Sequence, residues 1–179
     1  MDDLSHLEPN RPSSSTESQW LQRVVDRLCS NLQRDTVVRE TTLQLQQQLQ
    51  ADRVVLYYFF RPWKGQVVSE ALSDRELTIL GSTGADDCFN DEYAALYEAG
   101  RYRAIDDTFV DPIHECHREF LHGIRVRANL AVPILIPKGL WGLLVAHYCH
   151  GPHAWLPAEI EQVRTSAKRL AATPSICES

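Results

Sequence analysis

Long apolar runs are missing from this chain. The longest, residues 130–136, is broken by Pro133, so nothing reaches the length of a membrane-spanning helix. A basic excess is missing too. The 18 Lys and Arg stand against 24 Asp and Glu, for a net charge of −6, which argues against nucleic acid as the main partner because phosphate binding needs concentrated cations. No apolar signal-peptide core follows the acidic start at Asp2 and Asp3. There is no CxxC pair, and the cysteines are an odd five, so no disulfide framework is expected in a chain of 179 residues that can bury its own core. These absences make the cytoplasm the expected location. Thiols persist there as nucleophiles, metal ligands or small buried groups.

What is present is a soluble composition, 44% hydrophobic and 23% charged, arranged in clear periods. Residues 1–18 are rich in Pro, Ser and charge and read as a flexible leader; residues 19–172 read as one domain and 173–179 as a tail. Trp20, Leu21, Val24, Val25, Leu28 and Leu32 recur at helical spacing. Asp35 or Thr36 can cap a second helix whose apolar stripe is Val38, Thr41, Leu45 and Leu49. Neither helix sustains the heptads of a long coiled coil, although the first lies at the domain edge and is suited to a homodimer contact. Residues 53–60 (RVVLYYFF) are β-branched and aromatic and predict a buried strand, returned after a turn by 67–72. Residues 81–91 predict irregular structure, and 92–99 a short helix ending at Gly100. Another short helix is expected over 117–122. Residues 128–136 and 140–149 flank a Pro137-Lys138-Gly139 turn and predict an antiparallel hairpin. Pro157 opens a final helix with Ile160, Val163, Ala167 and Leu170 buried, and Thr173-Pro174 ends it. The sum is an α+β domain around an antiparallel sheet of five to six strands flanked by helices.

The chemistry concentrates in two segments. Cys116 stands between His114 and His117 ahead of the second short helix, and Cys88 sits in the acidic turn Asp86-Asp87-Cys88-Phe89. An isolated Cys–His pair is as a rule structural. Here two thiols, two imidazoles and carboxylates in neighbouring segments ask for a chemical explanation. His147 lies on the last strand, where alternation turns it away from Ala146 and Tyr148; a satisfied core histidine is the alternative. His150 and His153 flank Gly151-Pro152 and are expected to be exposed. Trp63, Trp141 and Trp155 read as packing residues. Cys29, Cys149 and Cys177 belong to no motif.

The strings LQRDT (32–36), DRVVLY (52–57), CHREFL (116–121), ANLAVPI (128–134) and LWGLLVAH (140–147) resemble, in that order, the GAF domain of cyanobacteriochromes, bilin-binding photoreceptors related to phytochromes. The likeness runs from about residue 20 to 172, and the segment 86–89 matches the DXCF motif of one two-thiol subfamily. The resemblance implies a GAF fold holding a linear tetrapyrrole, phycocyanobilin or its isomer phycoviolobilin, as a thioether through Cys116. It implies that Cys88 adds reversibly to the central methine carbon, giving a violet- or blue-absorbing form, and that 15Z/15E isomerisation releases it to a green, teal or orange form. It places Asp86 at the pyrrole N–H groups, His117 near the pyrrole nitrogens or a propionate, His147 near ring D, and Tyr97 and Phe89 in the pocket wall. Relatives often carry an Arg ahead of the pocket tyrosine as a propionate clamp. Leu96 stands there in this chain, which leaves Arg101 or Arg103 as substitutes.

The implied role is sensory rather than enzymatic, apart from lyase or isomerase action on the chain's own chromophore. A signalling output of kinase, cyclase or chemotaxis type is expected as partner. Because none of these is within the 179 residues, the expectation is an excised module or a stand-alone sensor. Two other classes compete. One is a thiol-based GAF enzyme that reduces methionine sulfoxide. The other is a zinc or redox-sensing module using His114, Cys116, His117 and Cys88, whose spacing is not that of a known zinc signature.

Overall fold

The computed structural model describes residues 14–61, 64–84 and 91–179. Helix α1, Ser14–Arg34, begins inside the stretch expected as leader, and residues 1–13 lie outside the described part. Val25, Leu28 and Leu32 are buried along it, but Trp20 is 63% exposed and Val24 is also exposed. The apolar stripe read from the sequence is therefore packed only from Val25 onward, because no described element covers the first turns. Asp35 caps α2, Thr36–Leu49, as expected. Its carboxylate accepts from the backbone N–H of Val37 at 2.9 Å and of Val38 at 3.1 Å. Val38, Thr41, Leu45 and Leu49 are all buried.

Five strands form one antiparallel sheet in the order β2-β1-β5-β4-β3, with β1 Arg53–Arg61, β2 Lys64–Leu72, β3 Arg103–Ile105, β4 Ala128–Ile136 and β5 Gly139–Tyr148. The two hairpins predicted from the sequence are present, and the C-terminal strand of the second pairs with β1 to join them. The short edge strand β3 carries too little pattern to be read in advance. Gly142 faces Tyr58 in the β1–β5 register, and a Cβ there would lie 2.0 Å from the Tyr57 carbonyl oxygen, so the close approach of the two strands requires glycine.

The sheet divides the molecule. On one face Val54, Leu56, Val68, Leu130, Val132, Ile134, Leu144 and Ala146 pack with α1, α2 and α5, Pro157–Ala171, and with Ile176 of the short terminal helix α6, Pro174–Cys177. Trp141 and Trp155 join this core as expected, while Trp63 lies outside the described residues. Trp141 is the extra residue of a register shift between β4 and β5, which turns its indole toward the helices. On the other face Val55, Val67, Ala131, Leu143 and Val145 form a smaller apolar cluster with Tyr97 of α3, Asp91–Glu98. Gly100, at φ +85°, ends that helix as predicted. Helix α4, Glu115–Gly123, adds Leu121 to a third cluster with Ile105 and Val126.

Candidate ligand-binding cavity

Helix α4 begins two residues earlier than the sequence pattern suggests. His114 is its N-cap: the Nδ1 atom accepts from the Cys116 backbone N–H at 3.3 Å. Cys116 thus occupies the first turn, where the helix dipole favours negative charge. His114 shapes the turn that carries Cys116. The Arg118 guanidinium donates to the Asp111 carbonyl at 3.0 Å and also bonds the Thr108 carbonyl, tying α4 to the preceding loop. In one respect the expectation of free thiols fails. The Cys116 sulfur is disulfide-bonded, so any thioether to a ligand requires that bond to be reduced first.

Between the sheet face that lacks the large helices and α3 and α4 lies a cavity of about 850 Å³, counting its open mouth. Val55, Tyr57 and Phe59 from β1, Ala131 from β4 and Leu143 and Val145 from β5 form its sheet wall. Tyr97 lines another side, and His117, Phe120, Leu121 and Ile124 come from α4 and its C-terminus. The lining is chiefly apolar, and its polar groups besides the tyrosine hydroxyls are His117, the cross-strand pair Asn129 and His147, and the consecutive Ser82 and Thr83. Such a lining suits a largely apolar organic molecule with polar atoms at particular points.

The structure brings three predicted site residues, His117, His147 and Tyr97, to this one cavity. Cys116 is not in its lining but directly precedes His117, which is. Burial, with Arg103 and His114 adding to it, pushes His117 down to about 4, so its imidazole is neutral at pH 7. His147 is buried, and burial followed by the nearby Arg53 cation holds it well below the ordinary imidazole range. Asp86, Cys88 and Phe89 lie outside the described residues. Of the two substitute arginines, Arg101 is exposed, whereas Arg103 on β3 is half-buried and close enough to bear on His117. His153, expected to be exposed, is half-buried. It stacks on Tyr148 with ring centroids 4.0 Å apart and bonds Glu159 at 2.9 Å. His150 is exposed, as expected, and meets Asp52 at 3.1 Å.

Two residues at the cavity were not singled out from the sequence. The Tyr57 hydroxyl accepts from the Gly84 backbone N–H at 2.9 Å, which pins the start of the segment leading toward Asp86. Arg53 is 1% exposed and donates through Nε to His147 Nδ1 at 3.0 Å, and through its two terminal nitrogens to the carbonyls of Leu77 at 2.5 Å and Ile124 at 3.0 Å. A signal existed: a cation heads the apolar run 54–60 of β1, on the same alternating face as Val55, Tyr57 and Phe59.

A GAF domain model matches residues 33–173. An uncharacterized protein of Picosynechococcus sp. is 50% identical over 151 residues, 84% of this chain and 93% of that protein. A putative methyl-accepting chemotaxis protein of Synechocystis sp. is 33% identical over 159 residues, 89% of this chain and only 16% of that protein. The solved cyanobacteriochrome receptor PixJ is 32% identical with a TM-score of 0.68, covering 74% of this chain and 88% of that one. The phycocyanobilin-bound GAF domain of a cyanobacterial phytochrome is 25% identical with a TM-score of 0.69, covering 84% of this chain and 91% of that one.

Proposed function

This chain belongs to the GAF domain family and is structurally similar to cyanobacteriochrome domains, which are photoreceptors rather than enzymes; from that premise we propose that it is a photosensory module whose cavity holds a covalently attached linear tetrapyrrole. The observation that carries the reading is the convergence of neutral His117 and His147 on one apolar cavity beside the helix turn that bears Cys116. When bound, the tetrapyrrole supplies visible absorption and a double bond that isomerises in light between 15Z and 15E. Cys116 would hold the tetrapyrrole through a thioether at the ethylidene carbon of ring A, with the thiol proton passing to the neighbouring carbon. Its disulfide must be open for this, so attachment belongs to reducing conditions. His117, neutral and half-buried, serves pyrrole nitrogens or a propionate without adding charge to the cavity. Arg103 is the better placed of the two arginines to meet a propionate.

Cys88 and Asp86 complete the proposal in the manner of the DXCF subfamily. Cys88 would hold the central methine carbon reversibly, its thiol proton passing to a pyrrole nitrogen and returning on release, so that the bonded form absorbs in the violet or blue and the released form at longer wavelength. Asp86 accepts from pyrrole N–H groups, and Phe89 helps to wall the pocket. Phycocyanobilin and phycoviolobilin both fit this chemistry. Signalling passes to an output partner of chemotaxis or kinase type, consistent with the chemotaxis protein in which the similar region is a small part. The test is co-expression with bilin-synthesis enzymes under reducing conditions, followed by spectra before and after illumination. A coloured, light-reversible protein is expected, and a colourless one rejects the proposal. Acid denaturation then separates phycocyanobilin from phycoviolobilin by colour.

A further inference from the structure

Arg53 is the most deeply buried cation of the described chain, and it has no carboxylate within ion-pair distance among the described residues. A buried charge without a counter-ion is costly unless its donors are satisfied. Here three different groups satisfy them: the Leu77 carbonyl after β2, the Ile124 carbonyl at the end of α4, and His147 Nδ1 on β5. Asp52, Glu70 and Cys149 bear on the guanidinium only at longer range.

The two carbonyl bonds hold the guanidinium in place, so its Nε–H is a fixed donor. Guanidinium nitrogens carry protons and accept none. The His147 Nδ1 that receives Nε–H must therefore present a lone pair. An imidazole with a lone pair on Nδ1 is neutral and carries its single proton on Nε2. The one hydrogen bond of the His147 side chain among the described residues is that at Nδ1, and His147 lines the cavity. Protonating Nδ1 would set N–H against N–H beside a fixed cation.

We propose that Arg53 is a positioning residue that locks His147 as the neutral Nε2–H tautomer, so that the ring atom left to the cavity is a hydrogen-bond donor. The lock is a property of the protein alone.

Ligand-free protein labelled with ring ¹⁵N-histidine is therefore the sample for the test, read by long-range ¹H–¹⁵N correlation, with the His147 signals assigned by their loss in His147→Gln. A single Nε2–H state for His147 is expected in the unmodified protein. An Nδ1–H state, an imidazolium or a tautomer mixture would overturn the proposal without recourse to any Arg53 variant. In Arg53→Met the single state is expected to give way to a mixture, while Arg53→Lys, which keeps a donor, retains Nε2–H. An unchanged tautomer in Arg53→Met, or its loss in a folded Arg53→Lys, would place the effect in packing rather than in the donor and would also overturn it. Because no pigment is present, this result and the co-expression result fail independently.

Discussion

A residue's role in this cavity depends on which of its atoms are already engaged. His147 engages Nδ1 with Arg53, the one hydrogen bond of its side chain among the described residues; Cys116 engages its backbone N–H with His114 and its sulfur in a disulfide. Replacing Cys116 with Ala is expected to abolish covalent pigment, read as loss of bilin fluorescence on a denaturing gel. Replacing Cys88 with Ala should keep the covalent pigment but remove the blue-shifted form; a blue form that survives would reject the two-thiol mechanism. Omitting reductant during assembly should lower the covalent yield of the unmodified protein. His147 was legible in the sequence because alternation along a strand needs only its neighbours. Arg53 was not legible as a hub because its partners lie 24, 71 and 94 residues away, and no local pattern connects them.

Elements were legible in proportion to their length. The long helices and the two hairpins carry enough apolar period to stand out, whereas β3 with three residues and α6 with four do not. The start of α4 was misjudged because histidine is an uncommon N-cap, and the cap lies in a bond from Nδ1 rather than in a familiar Ser or Asp. The α2 cap is of the familiar kind. Asp35→Ala removes two capping bonds and the bond from the Ser175 hydroxyl at 2.6 Å, and should cost about 1–2 kcal/mol in urea unfolding. Gly142→Ala should cost more, about 1–3 kcal/mol, because the new methyl meets the Tyr57 backbone rather than a side chain that can turn aside. A midpoint unchanged by Gly142→Ala would show that the β1–β5 spacing is looser than the structure has it.

At the scale of the whole molecule, no helix among the described residues is long and apolar enough to cross a membrane, and the sheet separates a dense helical core from a cavity. The cavity side brings a cost in acid. His117 and His147 titrate below the ordinary imidazole value of about 6.5, so as pH falls the unfolded chain binds protons before the folded one does. Stability present above about pH 6.5 should therefore decline toward pH 4, by at most about 1.4 kcal/mol per pH unit for each histidine. Urea unfolding at successive pH values measures the slope, and His147→Gln should flatten it. The two-faced sheet also writes a numerical code into the chain. On β1 up to Phe59, on β4 up to Val132, and on β5 from Leu143, even positions pack under the helices and odd ones turn to the cavity. A library that varies only the odd numbers, Arg53 excepted, would retune the spectrum of a loaded protein while sparing its expression, and one confined to the even numbers would lose yield before it changed colour.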